Sequence, residues 1–334
     1  KMHAHRELIQ NYLKAPQKED GLAFDGFVVS DWAAIHEIDA PTHYDKVVKS
    51  VNSGIDMFME PSDWHRFMLD LKTAVKNGDV EKSRINDAVK RILKIKFKAG
   101  LFEKALADHD LVDTIGSQEH RATAREVVRK SLVLLKNQKQ VLPLSKNEKF
   151  YITGSNADNL GHQSGGWTIK WQGFSGNEAT EGTTIKTGIE NMLANNEGQV
   201  VNSLSQADVA IAVVGEKPYT EGQGDDAGLE LSAQAKQELQ RLHESGKPVV
   251  VILVSGRPLI VSEKIDNWDA LVAAWLPGTE GGGIADVIFG DYNFRGKLPV
   301  SWPRSVEQLP LNVGDENYNP LFEYGYGLKM DLQN

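Results

Sequence analysis

The segment Ser30-Asp31-Trp32 places a carboxylate and an indole at the end of an apolar run, Gly26 to Ser30, that predicts a buried strand. In βα barrels the carboxyl ends of strands carry the catalytic groups, and an indole offers a flat surface on which a sugar ring can stack. The structural alternative is that Asp31 caps the following turn while Trp32 simply packs. Composition alone leaves both interpretations open.

A second carboxylate-rich segment runs from Gly215 to Asp226, again directly after a predicted strand. It holds four carboxylates, Glu216, Glu221, Asp225 and Asp226, among three glycines. Such a loop could present an acid above a pocket, or it could be a solvated surface loop or a weak cation site. The DxDxDG spacing of a calcium loop is absent.

Two tryptophans, Trp167 and Trp171, lie in the glycine-bounded segment Gly165 to Gly173. The glycines argue against a buried helix. Exposed indoles are unfavourable in water unless they bind a partner, and carbohydrate suits them because its C–H faces pack on aromatic planes. The alternative is that one or both rings close a domain interface.

Other kinds of chemistry have little support in the sequence. The glycine-rich runs GSNADNLG and PGTEGGG match neither GxGxxG nor GxxxxGKS, so nucleotide binding by an α/β protein is disfavoured. The nine histidines show no HExxH spacing, there is no GxSxG motif, and no cysteine is present to act as a nucleophile or ligand. The sequence therefore predicts no cofactor and no metal.

The composition argues against nucleic acid as a partner and against a membrane span. The 46 acidic residues outnumber 37 Lys and Arg, giving a formal charge of −9, and no basic cluster offers a surface for phosphates, so a nucleic-acid partner is not expected. No apolar run approaches the roughly 18 residues of a membrane span. A length of 334 residues argues for two domains or one large domain.

The first hundred residues alternate strands and helices in the manner of a parallel βα architecture. The predicted elements are strands at 26–30 and 55–59, helices near 44–52 and 64–77, and a helix N-capped by Ser83 that stops at Gly100. Residues 101–116 then form a predicted linker.

The remainder predicts a doubly wound domain with a mostly parallel sheet, since runs such as VVVILVS indicate burial on both faces. The predicted elements are a helix from Ser117 through Lys136, strands at 150–154, 209–215, 249–255 and 270–275, and weaker strands at 199–202 and 297–302. Polar loops after these strands form one candidate ligand-binding face.

Taken together, the motifs resemble glycoside hydrolase family 3, closest to its exo-acting β-glucosidases and β-glucan exohydrolases. The resemblance covers essentially the whole chain, through FDGFVVSDW, KAGLFE, GSNADNLGHQSGGWTIKWQG, VVGEKPYTEGQGDD, SGRPL, AAWLPGTEGGG and GKLPVSWP. It implies a (β/α)8-type barrel followed by an αβ sandwich, with the active site between the two domains.

The resemblance also implies roles for individual residues. Asp31 would be the nucleophile and Glu221 the general acid/base, with Glu216 as the runner-up for the acid. Trp32 and Trp171 would clamp the sugar, while Trp167 and Met59 would lie near the pocket wall.

The implied activity is exo-hydrolysis of β-glucosides or β-glucans with retention of configuration. Alternatives are a non-catalytic glycan-binding fragment, a β-N-acetylglucosaminidase or a β-xylosidase. A secreted or periplasmic location is expected, while linkage preference and oligomeric state stay open.

The resemblance implies that the chain holds only part of the barrel but the whole sandwich domain. Because a (β/α)8 barrel takes ~250 residues, residues 1–100 would be only its C-terminal part, 101–116 a linker, and 117–334 the sandwich. Most of the sugar pocket would then lie on other barrel strands, so activity is expected of a longer parent polypeptide.

Overall fold

The computed structural model describes residues 1–332 and divides the chain into two compact units, one from Lys1 to Val112 and one from Asp113 onward. The main elements of the first unit are β1 (Val29–Trp32), α1 (His43–Ser53), β2 (Met57–Met59), α2 (Trp64–Asn77) and α3 (Lys82–Lys98). Short 3-10 helices lie at Met2–Ala4, Gln17–Glu19 and Ala34–Glu37, and a π-helix spans Glu7–Leu13.

The two strands of the first unit are parallel, with Val29 opposite Met57 and Trp32 opposite Met59. Thr42 and Asp45 form a capping box at the start of α1, which satisfies two backbone donors. The apolar core of this unit lies around α1 and α2 and includes Val47, Val51, Phe67 and Ala74.

Three buried charged side chains, Lys14, Asp56 and Arg84, form ion pairs near the start of β2. Asp56, just before β2, accepts from Lys14 Nζ at 2.7 Å, pairs with Arg84, and takes a hydrogen bond from Val28 N at 2.8 Å. The three charged side chains are 8% exposed or less. Burial lowers the pKa of Lys14, against the opposing effect of Asp56.

Two sequence expectations for this unit are corrected. The first strand begins at Val29 and contains Asp31 rather than stopping before it, because Trp32 pairs with Met59 of β2. The helix predicted to be capped by Ser83 begins at Lys82, since the Glu81 carbonyl already accepts from Arg84 N at 2.9 Å.

The second unit is an α/β fold around a mixed six-stranded sheet of order β3-β8-β7-β6-β4-β5. Its elements are α4 (Gln118–Ser131), β3 (Val133–Asn137), β4 (Lys149–Thr153), α5 (Leu160–Ser164), α6 (Ile185–Leu193), β5 (Gln199–Val200), β6 (Val209–Gly215), α7 (Ala233–Glu244), β7 (Val249–Val254), β8 (Ala270–Trp275) and α8 (Gly282–Ile288). All neighbouring strands are parallel except β3, which runs antiparallel to β8.

Helices cover both faces of this sheet. Alternate residues of β7 point into two separate apolar layers, one shared with α4, α6 and α8 and the other with α7. This double burial explains the uninterrupted apolar run of the strand.

The helix expected through Lys136 is wrong at its end. The helix α4 stops at Ser131 and the chain continues as β3, whose residues Val133 to Leu135 are buried against β8. The weaker strand expected at 297–302 is also wrong, since Trp302 makes only an isolated bridge to Phe322. Across residues 1–332, no helix combines the length and hydrophobicity needed to span a bilayer.

Candidate active site

The carboxyl end of β1 presents Asp31 and Trp32 to solvent. Asp31 is exposed and its Oδ1 accepts from Trp32 N at 2.7 Å, while the Trp32 ring is 71% exposed. Both residues therefore have free surfaces, as a nucleophile and a stacking platform require.

Hydrogen bonds to β2 fix the backbone on each side of Asp31. Ser30 Oγ accepts from Met59 N at 2.9 Å and donates to the Asp31 carbonyl at 2.9 Å. Ala33, in a left-handed conformation with φ 53°, donates from its backbone N–H to the Met59 carbonyl at 2.8 Å. Met59, 44% exposed, thus lies opposite Trp32 on the neighbouring strand.

In the second unit, Glu216 follows β6 and both its carboxylate oxygens are occupied. Oε1 accepts from Arg257 Nε at 3.0 Å and Nη2 at 2.7 Å, and Oε2 accepts from the Tyr219 hydroxyl at 3.0 Å. Arg257 also donates to the Gly224 carbonyl at 2.6 Å. The Arg257 side chain consequently joins the start of the loop to its far side.

The Tyr219 ring also contacts Arg257. The Arg257 guanidinium lies 4.4 Å from the ring centroid, a cation–π contact. Burial and the neighbouring Glu216 carboxylate raise the pKa of Tyr219 to about 12. The hydroxyl therefore stays protonated near neutral pH and serves as a donor to Glu216.

Glu221 occupies an exposed turn of the same loop. Gly224 N donates to the Thr220 carbonyl at 2.7 Å, and Gln223 N donates to the Glu221 carbonyl at 2.8 Å. Within the described part of the chain, no hydrogen bond or ion pair engages the Glu221 carboxylate. Its backbone is held while its side chain is free to meet a ligand.

The tryptophan loop packs directly beside Glu221. Thr220 N donates to Gln172 Oε1 at 2.9 Å, and Thr220 Oγ1 donates to the Trp171 carbonyl at 3.2 Å. A Cβ on Gly166 would come within 2.1 Å of the Tyr219 carbonyl oxygen, so only glycine allows the two loops to approach this closely.

Both indoles of this loop are exposed. Trp167 and Trp171 are 68% and 52% exposed, with ring centroids 6.5 Å apart and planes inclined at 60°. Trp167 has a φ of 57°, a left-handed conformation that costs of order 1–3 kcal/mol in a non-glycine residue. Strained backbone that carries exposed aromatic rings is typical of a binding surface.

The structure thus gathers Glu216, Glu221, Trp167 and Trp171 on two adjoining loops of the second unit, whereas Asp31, Trp32 and Met59 lie together in the first. Sequence reasoning did not identify the residues that position Glu221, namely Arg257, Tyr219 and Gln172. Arg257 had a usable signal, because it follows the end of β7 on the candidate ligand-binding face.

A polar cavity of about 870 Å³ lies beside α7, lined by residues such as Tyr151, Ser155, Glu238 and Arg241. None of the predicted site residues lines it, and Glu238 and Arg241 are already paired at 2.6 Å. We therefore assign the candidate active site from chemistry rather than cavity size.

One cluster in the first unit has the residue types of a metal site. His36, His43 and Glu60 each offer one ligand atom, and these atoms lie within 4.8 Å of one another. His36 and Glu60 follow β1 and β2, respectively, and His43 begins α1.

Two family models match the chain. Residues 1–95 match the glycosyl hydrolase family 3 N terminal domain, and residues 132–330 match the glycosyl hydrolase family 3 C-terminal domain.

Among curated proteins, the chain is 32% identical to a periplasmic beta-glucosidase of Salmonella typhimurium, covering 92% of this chain and 48% of the relative. It is also 32% identical to a lysosomal beta glucosidase of Dictyostelium discoideum, covering 92% and 42%. The chain therefore spans about half the length of these relatives.

The chain is also similar to solved structures of a glucanase and a glucosidase. An exo-1,3/1,4-beta-glucanase from a Pseudoalteromonas species superposes with a TM-score of 0.91 at 38% identity, covering 98% of this chain and 43% of that one. A beta-glucosidase from Listeria innocua in complex with glucose superposes with a TM-score of 0.83 at 27% identity, covering 98% and 49%.

Proposed function

The chain belongs to glycosyl hydrolase family 3, and on that premise we propose that the protein is an exo-acting β-glucosidase or β-glucan glucohydrolase. It releases single glucose units from the non-reducing ends of β-glucosides and β-glucans with retention of configuration. The relatives named beta-glucosidase and exo-1,3/1,4-beta-glucanase support this substrate class.

In this proposal Asp31 is the nucleophile and Glu221 the acid/base. The ionised Asp31 attacks the anomeric carbon while Glu221 protonates the leaving oxygen, giving a covalent glycosyl–enzyme. Glu221 then removes a proton from water, which attacks the same carbon and releases the sugar from Asp31. The mechanism requires the two carboxyl groups to be about 5–5.5 Å apart on the bound substrate.

The observation that carries the assignment of the acid is the contrast between Glu216 and Glu221. Both oxygens of Glu216 accept hydrogen bonds from Arg257 or Tyr219, so a leaving-group oxygen would have to displace them. Glu221 is exposed and its loop is anchored to Gln172. An acid that must reach a substrate fits Glu221.

The exposed aromatic rings supply the remaining substrate contacts. Trp32 and Trp171 stack on the sugar, and Trp167 and Met59 contribute to the pocket wall. Stacking buries C–H faces of the sugar against the rings, which explains why such large apolar groups stay exposed in the free protein.

The same proposal includes the domain organisation. Residues 1–100 form the C-terminal part of a (β/α)8-type barrel, 101–116 a linker and 117–334 an αβ sandwich. The names of the periplasmic and lysosomal relatives support a location outside the cytoplasm, in the periplasm or the medium.

The catalytic roles can be tested with p-nitrophenyl β-glucoside, with the substitutions made in a polypeptide that carries the complete barrel. We expect Asp31→Asn to abolish turnover, because the nucleophile is lost. Glu221→Ala should retain slow turnover, since this leaving group needs little protonation. Azide should accelerate it, because this anion attacks the glycosyl–enzyme without a base, displaces the Asp31 carboxylate and yields a β-glucosyl azide.

Glu216→Ala is the matched control for the acid assignment. It should weaken activity through a loosened loop, and azide should not rescue it. Azide rescue in Glu216→Ala but not in Glu221→Ala would contradict the assignment.

A β-xylosidase is the second candidate, favoured by a relative of that name in Formosa agariphila that is 30% identical over 98% of this chain. The corresponding aryl β-xyloside separates the two activities. Binding of gluco-oligosaccharides without hydrolysis of either substrate would instead indicate a glycan-binding protein.

A further inference from the structure

The cluster of His36, His43 and Glu60 leaves buried polar atoms without partners. His36 Nε2 lies 3.0 Å from both Glu60 carboxylate oxygens but hydrogen-bonds only to Oε1. Glu60 Oε2 and His43 Nε2 are buried and have no hydrogen-bond partner. Each unpaired buried atom is costly, so two of them in one cluster indicate that a further group belongs there.

A neighbouring carboxylate already orients the second histidine. His43 Nδ1 lies 2.6 Å from Asp70 Oδ2, and the His43 side chain is 6% exposed. When Nδ1 donates its proton to Asp70, the lone pair of Nε2 is free to bind a cation. Histidines that bind metals usually have such a second partner, which fixes the ring and its tautomer.

We propose that His36, His43 and Glu60 bind a divalent transition-metal ion, with zinc as the best fit, and that Asp70 positions His43. Two imidazoles and one carboxylate match the ligand preferences of zinc better than those of calcium or magnesium. Three protein ligands leave a fourth position for water.

The geometry needs only a small adjustment to hold the ion. Ligand atoms around a tetrahedral zinc with bonds of about 2.0–2.1 Å lie roughly 3.3 Å apart, whereas the three atoms here fall within 4.8 Å. The His36 side chain is 42% exposed, so its ring can move to close the set.

The ion would connect three segments that are separate along the chain. His36 lies in the 3-10 helix after β1, His43 in the first turn of α1, and Glu60 directly after β2. The 3-10 helix begins two residues after Trp32, so a bound ion would also restrain the turn that follows Asp31 and Trp32. A bound ion is therefore expected to stabilise the first unit.

The test measures metal content, which does not depend on hydrolytic activity. The purified protein is stripped with dipicolinic acid, titrated with Zn²⁺ or Co²⁺, and examined by mass spectrometry of the metal and by visible absorption. We expect one zinc per chain, tetrahedral Co²⁺ bands, and a rise in Tm on adding Zn²⁺.

Variants assign the ligands. His36→Gln and Glu60→Gln should lose the bound ion, the cobalt bands and the Tm rise. Both changes preserve approximate side-chain size, and His36 is partly exposed, so folding should survive. Asp70→Asn should bind zinc about 10–100-fold more weakly, as expected for a group that orients a ligand.

His109→Gln, at an exposed position in the same unit, is the control and should bind zinc like the unsubstituted protein. The proposal is wrong if the unsubstituted protein takes up no zinc, or if His36→Gln and Glu60→Gln bind it undiminished. In either case the cluster is a histidine–carboxylate hydrogen-bond network.

Discussion

The two glutamates of the loop after β6 differ in what surrounds their carboxylates. Glu216 is 13% exposed and lies under Arg257 and Tyr219, so it fixes the shape of the loop. Glu221, five positions later, has the freedom to act on a substrate. Glu216 comes first after the strand and is the simpler choice from sequence position. Its contacts with Tyr219 and with Arg257, which is 41 positions away, argue against it.

At the same scale, we expect His162 to make the free energy of unfolding depend on pH. Burial, followed by the charge of Lys217, lowers the pKa of this histidine. The unfolded chain therefore takes up a proton near pH ~6.5 that the folded protein resists, and stability is lost as pH falls below about 6.5. We expect the free energy of unfolding to decrease less between about pH 7.5 and about pH 5.5 in His162→Gln than in the unsubstituted protein.

Urea denaturation at the two pH values measures this difference. His120→Gln changes an exposed histidine and should leave the pH dependence as it is. An unchanged dependence in His162→Gln would show that His162 takes up its proton as readily in the folded state as in the unfolded one.

At the scale of elements, the buried charges around Asp56 hold β1 and β2 in place. Asp56 accepts from Val28 N just before β1 and pairs with Lys14 and Arg84. Asp56→Asn leaves two buried cations with too little opposing charge, and breaking such a group costs about 3–5 kcal/mol. Urea denaturation followed by circular dichroism should show that loss in the first unit.

Asp25→Asn is the comparison variant for this prediction. Asp25 pairs with Lys94 and Lys98 at the surface, where ion pairs are screened by water and contribute little. Equal effects of the two substitutions would mean that the Asp56 group does not stabilise the unit.

At the scale of the molecule, the sequence predicts best those strands whose burial shows as a continuous apolar run. The strands β6 and β8 have the predicted bounds, because an apolar run buried on both faces is visible in the sequence. The start of β3 was missed because its apolar residues follow the amphipathic pattern of α4 without a break, and its antiparallel partner β8 is far away in the chain. The cluster of His36, His43 and Glu60 was also missed, because its members lie in separate segments of the chain. The pairing of β1 with β2 brings them together.

The division into two units leads to a last prediction, for proteolysis. Every residue from 101 to 116 is exposed, and Lys104 is the one lysine or arginine in the segment. Exposed connections with few packed contacts are preferred sites of cleavage. Limited trypsin digestion should therefore cut first after Lys104, and mass spectrometry should find one fragment ending there and a complementary one beginning at Ala105. Lys104→Gln should remove this early cut, whereas Lys76→Gln, at an exposed position in α2, should not. A first cut inside α3 or α4 would show that these helices open more readily than the connection between the units.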